Sequence, residues 1–278
     1  MPVEELFSQL LEMPGVLARR NEPMARHTPL RVGGRAAIWA VVEDLPAVQG
    51  VLKATRAEKV RWRVHWPMED CIVRESGYQG LILRPGRGFE GAGRRDSGRV
   101  WLRAASPWSA LTPLTRLTLT RWPGTLGGLF AAGEQSRLKG VGLTMRWLKG
   151  RREIERRVDP GEEIPSLKPS EILIEVELDE ELPRRVRLRP PPGPGRLFAE
   201  PKGGDVGELL LRAGVCGARL RGWQFSDVEP GTVVHLQRDE NGQDSKDVLL
   251  LARGVAERVK RARGVSLDMR IPIFGVRS

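Results

Sequence analysis

Hydrophobic positions in this chain come in short blocks, some spaced as on a helix and some in unbroken runs. Leu6, Leu10, Leu11 and Met13 recur at helical spacing, and Pro14-Gly15 ends the helix they predict. A polar connector follows. Ala37-Ile38-Trp39-Ala40-Val41-Val42 reads as a buried strand, and Asp44 as the cap of a helix over 45–58. Val60 to Val64, Cys71-Ile72-Val73 and Gly80-Leu81-Ile82-Leu83-Arg84 read as three further strands, completing a β-α-β-β unit with short turns.

A glycine- and arginine-rich loop runs from Pro85 to Arg99. The next unit predicts a strand over Val100 to Ala104, a helix over Trp108 to Thr120, and strands near 141–149, 152–158 and 171–178. Arg189-Pro190-Pro191-Pro192-Gly193-Pro194-Gly195 favours an extended backbone and excludes helix, which marks a domain boundary. Beyond it, Asp205 to Ala213 and Ser245 to Arg263 are helical, the second with Val248, Leu249, Ala252, Val255, Ala256 and Val259 on one face. Strands near 219–225, 232–236 and 266–274 give this last part an α+β composition.

Between the two halves of the second unit lies Arg121-Trp122-Pro123-Gly124-Thr125-Leu126-Gly127-Gly128-Leu129-Phe130-Ala131-Ala132-Gly133. Glycine lacks the Cβ that forbids positive φ or blocks a neighbour, so this stretch turns tightly and admits close approach. Leu126 to Ala132 reads as a short buried segment entered from that turn. Such a turn suits a loop whose N–H groups face a phosphate or a flavin ring, and equally an ordinary packed turn.

Composition narrows the class. A chain of 278 residues has room for two or three domains, each with its own core. No apolar run approaches the length of a bilayer span, and Met1-Pro2-Val3-Glu4-Glu5 lacks the features of a signal peptide, so the cytoplasm is the expected location. Cys71 and Cys216 are far apart in apolar surroundings and read as small core side chains. His27, His65 and His235 are scattered without metal-ligand spacing. The net charge of +11 could bind phosphates or nucleic acid, yet acids such as Glu153, Glu155, Glu162 and Glu163 interleave the basic clusters. No recognition motif accompanies them, which disfavours nucleic acid as a partner.

Several motifs occur together in a fixed order. They are His27-Thr28-x-x-Arg31-x-Gly33-Gly34, Val73-Arg74-x-x-Gly77-Tyr78-x-Gly80 and Pro123-Gly124-x-x-Gly127-Gly128. Later come Gly207-x-Leu209-Leu210, Ala213-Gly214-Val215-Cys216-Gly217, Asp247-Val248-Leu249, Val255-x-x-x-Val259 and Gly264-Val265. Over residues 21–275 this pattern resembles the UDP-N-acetylenolpyruvoylglucosamine reductase (MurB) family. The resemblance implies an α+β fold, with a two-part FAD-binding domain of the vanillyl-alcohol-oxidase/PCMH type and a C-terminal α+β substrate-type domain. The expected boundaries are an N-terminal helix at 1–20, FAD-type subdomains at 21–85 and 86–189, a Pro/Gly linker at 190–195, and the C-terminal domain at 196–278. It also implies a reaction in which NADPH reduces FAD, the flavin passes hydride to an enolpyruvyl group, and a protein acid protonates the adjacent carbon.

The positions that would carry this chemistry depart from the family. Trp66-Pro67-Met68-Glu69-Asp70 stands where the family has a Gly-Gly-Gly-Ser-Asn loop for the FAD pyrophosphate. Proline has no N–H to donate, the bulky side chains fill the space of glycine, and the carboxylates repel a diphosphate, so a surface turn is expected here. Pro194-Gly195-Arg196-Leu197-Phe198 replaces the family's Ala-Gly-Ser-x-Phe, and Arg270 replaces its late glutamate, with Asp268 two residues away. Glu162 to Ser170 lacks the family's Gly-Tyr-Arg-x-Ser, and Tyr78 is the sole tyrosine. Ser226-Asp227-Val228-Glu229-Pro230-Gly231-Thr232 replaces a cationic substrate-facing segment.

The expectation is a catalytically inactive relative without FAD, acting by binding, with cell-wall synthesis proteins as partners. Trp108, Trp122, Trp223 and the loop at 84–99 are candidate contact surfaces, with ordinary core packing the stronger reading for each tryptophan. In the alternative, a working flavin oxidoreductase, FAD would rest on Gly124, Thr125, Gly127, Gly128 and Gly133.

Overall fold

The computed structural model describes residues 2–67, 69, 71–115, 124–138, 140–179, 195–201, 204–236 and 245–275. These group into two units. The first comprises Met1–Glu22, Ala36–Glu69 and Gln79–Pro192, the second Pro23–Arg35, Asp70–Tyr78 and Gly193–Ser278. The segments 23–35 and 70–78, read from sequence as part of the first FAD-type subdomain, group with the C-terminal residues. Most of the linker at 190–195 lies outside the described residues.

In the first unit, α1 (Pro2–Leu11) buries Leu6 and Leu10. The chain turns at Gly15 (φ 72°) into β1 (Val16–Pro23), then returns as β2 (Arg35–Val42). Asp44 caps α2 (Leu45–Ala57), its carboxylate accepting from the Ala47 N–H at 2.8 Å. Val48, Val51, Leu52 and Thr55 are buried along one stripe of α2, as the period of an amphipathic helix requires. Next come β3 (Trp62–Val64), β4 (Ile72–Val73) and β5 (Tyr78–Pro85). The first sheet has the order β1-β2-β5-β3, with β3 parallel to β5.

Two differences from the sequence reading stand out in this sheet. β4 is absent from it and instead pairs in parallel with a strand near the C-terminus, within the second unit. Conversely, the polar connector after α1 is strand β1. It lies at a sheet edge, so it shows no buried alternation, and charged residues suit an exposed edge. Arg19 covers Trp39 on the neighbouring strand at 5.8 Å from the ring centre.

A second sheet holds β6 (Ala92–Arg94), β7 (Val100–Arg103), β8 (Leu143–Lys149), β9 (Arg152–Val158) and β10 (Glu171–Leu178), ordered β6-β7-β10-β8-β9 and antiparallel throughout. The arginine-rich loop thus contributes a strand. One face of β10 carries Glu175 and Glu177, with Asp179 just beyond, and these carboxylates pair with Arg95, Arg99, Arg103, Arg146 and Arg157. The helix expected over Trp108 to Thr120 is a single 3-10 turn at Trp108–Leu111. Thr112 keeps helical backbone angles (φ −54°, ψ −47°) and the Thr115 N–H still reaches the Leu111 carbonyl at 2.9 Å, but Pro113 has no N–H with which to extend the ladder. Residues 116–120 lie outside the described set. α3 (Leu126–Ala131) follows the glycine turn, where the sequence reading had only a short buried segment.

The second unit contains α4 (Val206–Arg212), β11 (Arg219–Leu220), β12 (Trp223–Phe225), β13 (Val233–His235), α5 (Ser245–Arg263) and β14 (Ile273–Phe274), the partner of β4. Its core gathers Leu197, Phe198, Trp223, Phe225 and the buried face of α5, with Leu30, Val32 and Ile72 from the two inserted segments. Glu75 seats the start of α5. Its carboxylate accepts from Ser245 Oγ at 2.6 Å and the Lys246 N–H at 3.0 Å, placing negative charge at a helix N-terminus. No helix among the described residues is long and apolar enough to cross a membrane.

Two expectations test this packing. Asp44→Ala leaves the first turn of α2 uncapped and should lower the stability of the first unit by about 1 kcal/mol, read as an earlier urea midpoint; an unchanged midpoint would contradict the cap. The Arg157 guanidinium, chiefly by hydrogen bonding, holds the Asp179 carboxyl below its usual range. A folded-state value depressed in this way contributes stability above the unfolded value of about 3.9, lost as pH falls through the lowered one. Solvent screening keeps the effect small. Asp179→Asn should therefore flatten that part of the acid-unfolding curve, as followed by circular dichroism.

Candidate functional site

The glycine turn belongs to the first unit, and its described part begins at Gly124. Gly124 has φ +88°, a value that side chains rarely adopt, and open space where a Cβ would stand. Thr125 caps α3, its hydroxyl accepting from the Gly128 N–H at 3.2 Å. The Leu126 N–H donates to the Ser106 carbonyl at 3.2 Å and the Gly127 N–H to the Ala104 carbonyl at 2.7 Å. Leu129 donates to the Thr125 carbonyl at 3.0 Å. Four successive N–H groups, those that would face an anion, are thus bonded within the protein. Gly133 ends the segment at φ +71°, its N–H donating to Phe130, with open space beside it.

Against this turn lies Trp66. A Cβ on Gly127 would sit 2.2 Å from Cδ2 of the indole and 2.3 Å from its Cε3. Glycine is needed at 127 because the ring is packed flush on the backbone. Trp66 is 4% exposed and belongs to the core of the first unit. This corrects the expectation of a surface turn at 66–70, for the described part of that segment. The local chain is closed on itself: the Trp66 N–H donates to Glu69 Oε2 at 2.8 Å, and the Glu69 N–H returns to the Trp66 carbonyl at 3.1 Å. His65, fully buried, pairs its Nε2 with the Glu69 carbonyl at 3.2 Å. The Pro67 carbonyl lies 3.5 Å from the Thr125 hydroxyl. Met68, Asp70 and Arg121-Trp122-Pro123 lie outside the described residues.

The residues present do not fit a dinucleotide diphosphate at this turn. Such a group would have to displace a buried indole, break backbone hydrogen bonds and approach the Glu69 carboxylate. Ala104 and Ser106, whose carbonyls take up the turn's N–H groups, were not singled out in the sequence. The only sequence signal for them is the run of small residues Ala104-Ala105-Ser106, which lets two backbones approach.

The second unit brings together the two positions that the resemblance makes catalytic. The Arg270 guanidinium donates to the Arg196 carbonyl through Nε at 3.2 Å and Nη2 at 3.0 Å. Arg196 in turn pairs with Glu200 Oε1 at 3.0 Å. A guanidinium group can hold an anion, but it is not a proton donor near neutrality. Asp268 contributes its carbonyl to the Ala199 N–H. Tyr78 packs on Phe274, ring centres 6.0 Å apart.

The shared motifs have structural roles here. The Gly34 N–H donates to the Val73 carbonyl at 2.9 Å, and a Cβ at Gly34 would come within 2.3 Å of the Arg74 carbonyl oxygen. The first two motifs are therefore two backbones pressed together. Trp108 and Trp223, 1% and 2% exposed, follow the core-packing reading and offer no contact surface, and Trp122 lies outside the described residues. Cys71 is buried; burial, aided by the charge of Asp227, pushes the Cys216 thiol up, away from nucleophilic reactivity. No group of metal-ligating side chains occurs among the described residues.

No family model matches the sequence. Curated relatives do. UDP-N-acetylenolpyruvoylglucosamine reductase of Geobacter sulfurreducens is 28% identical, covering 92% of this chain and 93% of its own length. UDP-N-acetylenolpyruvoylglucosamine reductase 2 of Symbiobacterium thermophilum is also 28% identical, covering 99% of this chain and 97% of itself. Among solved structures, the reductase (MurB) of Thermus caldophilus superposes with a TM-score of 0.65 at 19% identity, over 94% of this chain and 99% of that one. The structural match gives the fold, the α+β architecture of that reductase, and over nearly all of its length the sequence is similar to the UDP-N-acetylenolpyruvoylglucosamine reductases.

Proposed function

We propose that this chain is a non-catalytic member of the reductase family, acting by binding in cell-wall precursor synthesis and holding no flavin. The observation that carries the reading is the Trp66 indole seated on the backbone of Gly127. FAD would supply hydride transfer to this fold, and its diphosphate needs free N–H groups and open space at the glycine turn. The N–H groups of residues 126–129 are already bonded, and the space is filled by the ring.

Arg196 and Arg270 support the same reading. A reductase of this kind must protonate a carbon next to the one that receives hydride. Guanidinium groups at both family positions leave no acid of suitable pKa there. They suit an anionic ligand instead, held by charge-assisted hydrogen bonds. Cell-wall synthesis proteins are the partners that the kinship suggests.

Purified protein decides the matter. The reading predicts a colourless protein that retains no flavin after incubation with excess FAD and gel filtration. It also predicts no consumption of NADPH with UDP-N-acetylenolpyruvoylglucosamine. A yellow protein with stoichiometric flavin would overturn it and return Gly124, Thr125, Gly127, Gly128 and Gly133 to the role of cofactor contacts.

A further inference from the structure

A hollow of about 720 Å³ opens in the first unit beside the C-terminal half of α2, the start of β3 and the β8–β9 turn. This volume is in the range of small-molecule sites. It lies at the opposite end of β3 from Trp66 and is separate from the glycine turn. Five cations line it: Lys53, Arg56, Lys59, Arg61 and Arg151. No carboxylate is among the lining residues, and none of the five has an ion-pair partner among the described residues. The contrast with the outer face of β10 is informative, since there each arginine has a carboxylate to pair with. Positive charge is balanced on that sheet and left unbalanced in the hollow.

Backbone geometry points the same way. Lys59 follows the end of α2 at φ +53°, the left-handed position that usually terminates a helix with glycine. The conformation is fixed by Lys59 N–H to the Arg56 carbonyl at 3.3 Å and Val60 N–H to the Thr55 carbonyl at 3.0 Å. The end of α2 thereby sets Lys59 on the lining of the hollow beside Arg56 and Arg61. Gln49 Nε2 donates to the Arg151 carbonyl at 3.3 Å, holding the hairpin turn against α2. Leu52 and the half-buried Trp62 provide an apolar, partly aromatic wall.

We propose that this hollow binds a nucleoside polyphosphate, with its phosphates on the cations and its base against Trp62. Cations alone would take any polyanion; the aromatic wall selects one that carries a flat ring. This site can fail while the flavin-free reading stands, because it shares no residue with the glycine turn.

The test is calorimetric titration of the intact protein with ATP, inorganic tripolyphosphate and a single-stranded oligonucleotide, at low and physiological salt. ATP should bind one to one and more tightly than tripolyphosphate. The exposed Arg56→Ala/Arg61→Ala double variant should weaken ATP by about tenfold or more. Arg253→Ala, an exposed cation on α5, should leave it unchanged. Thermal melts like that of the parent protein would show that the variants are folded. The proposal is overturned if ATP does not bind, if the double variant binds it equally well, if tripolyphosphate matches ATP, or if the oligonucleotide displaces ATP from the same cations.

Discussion

The contact between the Trp66 indole and the bare backbone of Gly127 ties together what would otherwise be separate facts about this chain. A tryptophan buries on the order of 200 Å² of surface, and here the benzo edge of the indole meets a residue without a side chain. The ring can lie flush because Gly127 has no Cβ, and the helix behind it is held by the Thr125 cap. On the same turn the N–H groups of Leu126 and Gly127 donate to the carbonyls of Ser106 and Ala104. A turn of the kind that elsewhere cradles phosphate has become part of a hydrophobic core.

The motifs shared with the reductases and the positions that depart from them separate along a physical line. Gly33-Gly34 and Val73-Arg74 are kept where two backbones come within hydrogen-bonding distance and no Cβ would fit. Gly195, at φ +84°, is kept where a Cβ would press on the Val233 carbonyl. These positions serve folding, and they would be under the same constraint in a protein with any ligand or none. The departures fall at Trp66, Arg196 and Arg270, where the resemblance would place cofactor and proton chemistry and where each side chain instead packs or bonds within the protein. Arginine at two of them brings charge that is permanent near neutrality, a property suited to holding an anion and unsuited to proton transfer.

Much of the fold was legible because local signals agreed with tertiary ones. Asp44 before an apolar stripe gave α2, and alternating or continuous apolar runs gave β2, β5, β8 and β10. Edge strand β1 was not legible, because an edge needs no apolar face and its residues read as a connector. The parallel pairing of β4 with β14 was invisible for another reason: two-residue strands carry no pattern, and their partners lie about two hundred residues apart. After Trp108 the described residues form a 3-10 turn in place of the start of the expected helix, with Pro113 lacking the N–H that a continuing ladder needs. At the candidate site the sequence showed that bulk had replaced glycine at 66. It did not show that the ring would be buried, and the same residues read as a surface turn. Burial depends on Gly127, some sixty residues away, and no local rule links the two.

The pairing of these two residues can be measured as a double-mutant cycle of unfolding free energies. With Trp66 present, Gly127→Ala should destabilise by about 1 to 3 kcal/mol, since the new methyl group overlaps the ring. In the Trp66→Ala background the overlap is gone, and the same substitution should become neutral or stabilising, as alanine is the better helix former by about 1 kcal/mol. This change of sign is the predicted result. If Gly127→Ala has the same effect in both backgrounds, the indole does not rest on the glycine turn, and the account of a filled diphosphate site is wrong.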